Sequence, residues 1–335
     1  MPTPELASDH AGPWWALTTP VGARGALACI VLGPDASVAL GRLGLPPVDA
    51  GKARVLDVPG VDQMVVFRWE DSLHLMPHGG PAVMGSVIDW LGTRGFSRRP
   101  DPSPRALYPE AGSDLEAWML WTLARAVSPS VIPALLAQPE AWARPGVAFP
   151  EPGDSLSREF RRQVEPPLAV AVGPSNIGKS SLLNALAGRR VSIVADEAGT
   201  TRDHVGALVE LDGLVVRWVD TPGLRATPDG AEAAAREIAM TLVPHADLVL
   251  LCSDPGAEVS EKVAANLAGG VPVLRVGLRS DLGPPLGRPE VSVSLRDLEG
   301  LGGFARAVRT RLVSDRAMQG VDPLWFWPPA LWRGP

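Results

Sequence analysis

The most informative stretch of the sequence for chemistry is the run from Gly173 to Ser180, GPSNIGKS, which has the pattern G-x-x-x-x-G-K-S. The apolar run Leu168–Val172 precedes it and a helical pattern follows it, as a phosphate-binding loop requires. Backbone N–H groups freed by the glycines can converge on phosphate oxygens, and the helix N-terminus adds positive charge. Lys179 would reach the β- and γ-phosphates, and Ser180 would bind Mg²⁺. The alternative is a glycine-rich turn without a ligand, but the flanking strand and helix favour a nucleoside triphosphate site.

Two short motifs follow in the order that such a site needs. Residues 199–203, GTTRD, lie where a switch loop belongs, and Thr201 is the better candidate there for a Mg²⁺ contact. Residues 220–223, DTPG, close a predicted strand; Asp220 could hold Mg²⁺ through water, and the Gly223 N–H could contact the γ-phosphate. Each motif alone is a weak signal. In this order they indicate a loop that senses the γ-phosphate.

The apolar pattern around these motifs predicts an α/β domain with a doubly wound, mostly parallel sheet. Two alternating runs, 204–211 and 214–219, are joined by Asp212 and Gly213, a dipeptide typical of a two-residue hairpin. The remaining predicted strands are 248–252, 271–277 and 291–295, and the predicted helices between and after them are 231–242, 260–267 and 304–313. Binding loops should gather at the carboxyl ends of the parallel strands.

The amino-terminal half has a different pattern, typical of a small α+β domain followed by a short helical segment. The predicted strands are 26–32, 54–58, 63–69 and 73–76, and the predicted helices are 34–43, 82–91, 115–126, 131–137 and 155–163. The predicted organisation is a loose lead-in (1–17), the α+β domain (18–95), a loop, helical pair and Pro-rich linker (96–166), the nucleotide domain (167–315) and a Trp/Pro-rich tail (316–335). The tail is apolar enough to dock on the protein or on a partner.

Composition limits the class of protein. The chain has 335 residues, 46% hydrophobic and 20% charged, so it should be globular. Its net charge of −6 argues against a generally basic surface that coats nucleic acid, but not against a local basic patch. Cys29 and Cys252 lie in separate apolar runs and are interpreted as buried free thiols. No signal-peptide pattern and no apolar run of ~18 residues is visible, which predicts a cytoplasmic protein without a membrane partner.

The motifs resemble the translation-factor-like class of GTPases and, within it, the MnmE (TrmE) family of tRNA-modifying GTPases. The resemblance is close over residues 173–232, through GPSNIGKSSLLNALAG, IVADEAGTTRD and LDGLVVRWVDTPGLR. It is fainter over residues 18–36 and at HGGPAV, residues 78–83. It implies a folate-binding-type amino-terminal domain, a helical domain and a Ras-like G domain inserted into it. It also implies hydrolysis of GTP to GDP, and a homodimer formed through the amino-terminal and G domains.

Several site residues follow from this resemblance. The implied nucleotide contacts are Asn176, Ile177, Gly178, Lys179, Ser180, Ser181, Asp220, Gly223, Arg279, Asp281, Ser294 and Leu295. The implied Mg²⁺ ligands are Ser180, Thr201 and Asp220, and the implied K⁺ ligand is Asn176. Alternatively, Asn176 has a structural role and stabilises the loop through a hydrogen bond.

The catalytic residues implied are Glu232, Lys179 and Gly223. Many small GTPases orient water with a glutamine directly after the D-x-x-G glycine, but Leu224 stands there and cannot do so. Glu232, twelve residues beyond Asp220, falls where the MnmE family has its catalytic glutamate. The alternative is a solvated acidic residue near the start of an alanine-rich helix.

Recognition of the base departs from the family pattern. Leu278, Arg279, Ser280 and Asp281 stand where GTPases have Asn-Lys-x-Asp. Asp281 can still accept from the guanine N–H groups, and the Arg279 stem can cover the ring. Leu278 removes an amide that ties this loop to the phosphate-binding loop. The sequence predicts that guanine is favoured with weaker selectivity than usual.

Other departures concern length. The chain is shorter than the family, little follows residue 313 to complete a helical bundle, and the family's carboxyl-terminal cysteine motif is missing. The Pro-rich run 96–113 replaces the family's folate-contacting segment, which predicts no tight folate binding. The sequence is interpreted as a truncated MnmE-like paralogue, with tRNA modification left open. The alternatives are a nucleotide-holding scaffold with weak hydrolysis that docks an RNA or protein partner, and a ribosome-assembly GTPase.

Overall fold

The computed structural model describes residues 12–19, 26–100, 102–146, 148, 150–151, 153–187, 207–221, 237, 241–259, 264–265 and 270–328. The chain divides into two compact units. One comprises Met1–Arg125 and Phe326–Pro335, and the other comprises Ala126–Trp325. In the described part of the chain, no helix combines the length and the apolar character needed to cross a bilayer.

The first unit is built on a six-stranded sheet with the order β3-β4-β5-β2-β1-β6. Its strands are β1 (Trp14–Leu17), β2 (Ile30–Gly33), β3 (Ala53–Val58), β4 (Asp62–Trp69), β5 (Ser72–Met76) and β6 (Ser97–Arg98). Its helices are α1 (Ala36–Leu43), α2 (Pro81–Thr93), α3 (Pro104–Leu107) and α4 (Asp114–Leu123). Only the β1–β6 pair is parallel among these described strands. The prediction of a small α+β domain is confirmed.

Local sequence explains where the first helices begin and end. The Asp35 carboxylate accepts hydrogen bonds from the backbone N–H groups of Ser37 (2.7 Å) and Val38 (3.0 Å) and caps α1. Gly44, with φ of 69°, ends that helix in the left-handed conformation. Pro81 opens α2 at a position where the missing N–H has no cost. Both helices contribute apolar residues to the core of the sheet.

Two predictions for this unit were wrong. Residues 1–17 were predicted to be a loose lead-in, but Trp14–Leu17 form β1, a largely buried strand between β2 and β6. The run is too short and too uniformly apolar to show a period-2 pattern.

Residues 96–113 were predicted to be a loop, but they contain β6 and α3. Ser103 caps α3 by accepting from the Ala106 N–H (3.2 Å).

His74 and His78, the histidines of this unit that the structure describes, have polar neighbours. His78 of the HGGPAV run donates its backbone N–H to the Asp62 carboxylate (2.8 Å), and its Nδ1 lies 2.9 Å from the same group. His74 is buried, which lowers its pKa, and its Nε2 lies 3.2 Å from the Ser72 hydroxyl. The His78 contact ties the segment after β5 to the start of β4, whereas the His74 contact lies within β5, and both fit a structural role for these histidines.

The second unit contains the other six-stranded sheet, with the order β12-β11-β10-β7-β9-β8. Its strands are β7 (Leu168–Val172), β8 (Ala207–Leu211), β9 (Leu214–Asp220), β10 (Leu248–Ser253), β11 (Val273–Leu278) and β12 (Val291–Val293). Its described helices are α5 (Val131–Leu136), α6 (Gln138–Ala143), α7 (Ser155–Arg161), α8 (Lys179–Ala187), α9 (Leu301–Leu312) and α10 (Asp315–Gln319). Only the β8–β9 hairpin is antiparallel among these strands. The predicted Ras-like, mostly parallel fold is confirmed.

Buried polar side chains fix the chain that follows α10. Gln138 Nε2 donates to the carbonyl oxygens of Gly320 (2.8 Å) and Asp322 (3.2 Å), and its Oε1 accepts from the Leu324 N–H (2.8 Å). Ser157 Oγ accepts from the Trp325 N–H (2.9 Å). These bonds satisfy backbone groups that a chain without regular structure would otherwise bury unpaired.

Gln138→Ala should therefore lower the free energy of unfolding by about 3 kcal/mol, because it leaves several buried backbone groups without partners. Chemical denaturation measures the change. The matched control is Gln319→Ala, which truncates an exposed glutamine in α10. Equal effects of the two substitutions would contradict the anchoring role of Gln138.

Candidate nucleotide-binding site

The phosphate-binding loop joins β7 to α8, and close packing dictates its glycines. A Cβ at Gly173 would lie 2.5 Å from the Cys252 carbonyl oxygen and 2.8 Å from Ile177 Cδ1, so no larger residue fits. Gly178 has φ of 106°, a conformation that side chains disfavour. Ile177 is buried in the main core of the unit and anchors the loop, while Asn176 and Ser181 are exposed. The loop is therefore anchored to the core through Ile177, while Asn176 and Ser181 face solvent.

Lys179 is buried within this loop. Its ammonium group donates to the carbonyl oxygens of Gly173 (3.0 Å) and Pro174 (2.8 Å). Burial lowers the pKa of Lys179, and the nearby Asp220 charge opposes that shift. Burial also raises the pKa of the neighbouring Cys252 thiol to about 12, which keeps it neutral. Cys252 and Cys29 are both free thiols, as predicted, although Cys29 is only half-buried.

Ser180, in the first turn of α8, meets Asp220, the last residue of β9. The Ser180 hydroxyl donates to Asp220 Oδ2. Asp220 Oδ1 is buried and has no hydrogen-bond partner among the described residues. Thr221 Oγ1 donates to the Ala171 carbonyl oxygen (2.7 Å) and fixes the end of β9 beside β7. A hydroxyl and a carboxylate oxygen without a partner, placed side by side, fit the hard oxygen ligands that Mg²⁺ prefers.

The predicted base-recognition residues lie at the carboxyl ends of β11 and β12. Asp281 is exposed in a short 3₁₀ turn, Ser280–Leu282, that begins at Arg279. Ser294 is buried and donates its N–H to the Glu299 carbonyl oxygen (3.0 Å), and Leu295 is half-buried. Leu278, the departure from the usual asparagine, is only 2% exposed and belongs to the apolar core.

Sequence reasoning missed one charged residue here. Asp254 follows β10 and accepts a hydrogen bond from Arg279 through Oδ2 (3.2 Å). The available signal was its position directly after a buried strand, the same position that Asp220 has after β9. Thr201, Gly223, Leu224 and Glu232 lie outside the described residues, so their predicted roles stay predictions.

A family model described as a 50S ribosome-binding GTPase matches residues 169–274. The tRNA modification GTPase MnmE of Gluconacetobacter diazotrophicus is 31% identical over 322 residues, which cover 83% of this chain and 72% of that protein. The chain belongs to the MnmE family. The MnmE of Acidiphilium cryptum is 41% identical over 143 residues, but this match covers 43% of this chain and 32% of the relative's own length.

Among solved structures, the FeoB G-domain from Methanococcus jannaschii matches this MnmE-family chain with 21% identity and a TM-score of 0.31. The match covers 44% of this chain and 97% of that one. The family model over residues 169–274 and the mostly parallel sheet identify a P-loop GTPase domain in the second unit. Lys179 and Ser180 begin the helix after its glycine-rich loop, and Asp220 ends β9 beside them.

Proposed function

We propose that this MnmE-family protein binds GTP with Mg²⁺ and hydrolyses it to GDP. The observation that carries the proposal is the arrangement at the end of β7 and β9, where Lys179, Ser180 and Asp220 lie in one loop cluster. A buried ammonium group supplies the positive charge that the β- and γ-phosphates need. The Asp281 carboxylate, with backbone groups at Ser294 and Leu295, would recognise the guanine base.

Mg²⁺ would be held by Ser180, Thr201 and Asp220, and it would neutralise charge on the β- and γ-phosphates. Lys179 would hold the same phosphates from within the loop, and the Gly223 N–H would contact the γ-phosphate. The orphaned Asp220 oxygen supports this assignment, because a buried carboxylate oxygen is otherwise costly to leave unpaired.

Water activation is assigned to Glu232, since Leu224 has no group that could orient water. K⁺ would be held by Asn176, whose exposed position on the loop leaves its side-chain oxygen accessible, and it would add positive charge near the leaving phosphate. The remaining ligands would come from the switch loop when two G domains meet. The active form is accordingly proposed to be a homodimer.

The cellular role proposed is in tRNA modification, because the relatives bear that name. A ribosome-associated role is the second candidate, and the description of the matching family model favours it. Crosslinking of the protein to RNA in cells, followed by sequencing, separates the two: tRNA enrichment supports the first and ribosomal RNA enrichment the second.

The test of nucleotide chemistry uses the full chain with GTP or ATP, with Mg²⁺ or with excess EDTA. We expect GTP to bind more tightly than ATP, and phosphate release to fall at least tenfold when Mg²⁺ is removed. Equal affinity for ATP would reassign the nucleotide. Tight GTP binding without phosphate release, in K⁺ and at high protein concentration, would leave only the nucleotide-holding scaffold.

A further inference from the structure

Asp254, directly after β10, is held in one orientation by its own loop. Its Oδ1 accepts hydrogen bonds from the N–H groups of Gly256 (2.9 Å) and Ala257 (2.8 Å). Its backbone N–H donates to the Ala257 carbonyl oxygen (2.9 Å), and its carbonyl oxygen accepts from the Leu286 N–H (3.1 Å). These bonds leave Oδ2 to pair with Arg279, its charged partner in the described part of the chain, at 3.2 Å. The Asp254 side chain is only 10% exposed, so water competes little for this oxygen.

Arg279 connects this aspartate to two other parts of the site. Its backbone has φ of 53° and ψ of 41°, the left-handed conformation, and it starts the turn that carries Asp281. The turn is closed by the Leu282 N–H, which donates to the Arg279 carbonyl oxygen (2.9 Å). A Cβ at Gly178 would lie 3.8 Å from Arg279 Nε, so the guanidinium also lies against the phosphate-binding loop.

The side chain before Arg279 cannot hold the turn by polar contacts. Leu278 is buried in the apolar core and offers no hydrogen bond from its side chain. A non-glycine residue in the left-handed conformation persists only when its surroundings hold it there. Among the described residues, the carboxylate that pairs with Arg279 is that of Asp254, and the contact spans 25 residues of sequence.

We propose that Asp254 is a positioning residue for base recognition. Through its ion pair it holds Arg279, and with it the turn that carries Asp281, in the arrangement that selects a guanine nucleotide. This rests on the proposed function, in which the site binds GTP and GDP. Because an ion pair with a half-exposed arginine contributes little to stability, its loss should change base selectivity more than folding.

Asp254→Asn is the sharpest test in the full chain. The two loop amides need an oxygen, so the new NH₂ group would face the guanidinium and repel it. We expect affinity for GDP to fall about tenfold while affinity for ADP changes less than about twofold. Competition against a fluorescent GDP analogue measures both affinities, and thermal unfolding should be nearly unchanged.

Two companion variants make the result specific. Asp247 precedes the same strand β10 and pairs with Arg162 at 3.1 Å, at the opposite end of the sheet. Asp247→Asn removes a comparable ion pair and should leave the ratio of GDP to ADP affinity unchanged. In an Arg279→Ala background, Asp254→Asn should have no further effect on that ratio, because its influence passes through the arginine.

The inference is overturned if Asp254→Asn weakens GDP and ADP equally, or if its effect on the ratio persists without Arg279. If Asp254→Asn has the same ratio of GDP to ADP affinity as the wild type, the inference is overturned and the proposed function stands. If the wild-type protein binds no guanine nucleotide, both the proposed function and the inference fail. The wild-type titration therefore separates the two failures.

Discussion

Lys179→Ala should reduce affinity for GTP by roughly 10²-fold or more, because the loop amides alone cannot balance the charge of the β- and γ-phosphates. The ammonium group is already inside the loop, within 3.0 Å of two carbonyl oxygens, so little reorganisation separates it from a bound phosphate. Titration with a fluorescent GTP analogue measures the loss. Burial lowers the pKa of Lys179, which means that the folded state disfavours its charged form. Lys179→Ala removes this unfavourable contribution to the free energy of folding.

The matched control is Lys52→Ala, which removes the same charge from an exposed position in the other unit. It should bind GTP like the wild type. Circular dichroism on both variants excludes unfolding as the cause of lost binding. Wild-type affinity in Lys179→Ala would remove the phosphate site on which the proposed function rests.

The glycine-rich loop between β7 and α8 was predictable from the sequence, because its backbone geometry requires glycine at two positions and the motif contains both. Gly173 packs against the Cys252 carbonyl oxygen, and Gly178 needs a left-handed backbone, so both positions exclude other residues. The strand before the loop and the helix after it have the lengths and periods expected of them. Local chemistry and fold agree here, so the motif and its context could be recognised together.

The contacts of the loop after β11 were less predictable, because they join distant parts of the chain. Arg279 and Asp254 meet only because β10 and β11 pair in parallel, with Ser253 opposite Gly277. From the sequence, Leu278 is notable only because it lacks the amide group of the asparagine usual at this position. Its burial among core residues is a tertiary fact, and it means that Leu278→Asn would bury an amide as well as restore one.

The missed strand β1 has a related cause. Trp14–Leu17 lacks the alternation that marks a half-buried strand, because nearly all of its residues are buried between β2 and β6. Within the first unit, the Trp327 ring stacks on Trp118 at 5.6 Å, although proline-rich sequence surrounds it. Both segments acquire their structure from partners far along the chain, which a local pattern cannot reveal.

Glu232→Ala should lower turnover by about 10²-fold while leaving GTP affinity unchanged, as expected for a group that acts only in the transition state. Leu224 offers no alternative for orienting water, so the loss should not be masked. The matched control is Glu237→Ala, which removes an exposed carboxylate five residues further along. Single-turnover hydrolysis, with nucleotide affinity measured in parallel, separates a catalytic effect from a binding effect.

The same assay tests the cation. If Asn176 and backbone carbonyls of the switch loop hold K⁺, hydrolysis should be faster in KCl than in NaCl, because Na⁺ is too small for carbonyls set at potassium distance. It should also rise with protein concentration, since the switch loop is proposed to close when two G domains meet. Glu232→Ala should lose activity in both salts, whereas Asn176→Ala should lose only the advantage of K⁺. Equal rates in both salts together with a fully active Glu232→Ala would mean that hydrolysis depends neither on K⁺ nor on Glu232, and would remove the roles assigned to Asn176 and Glu232.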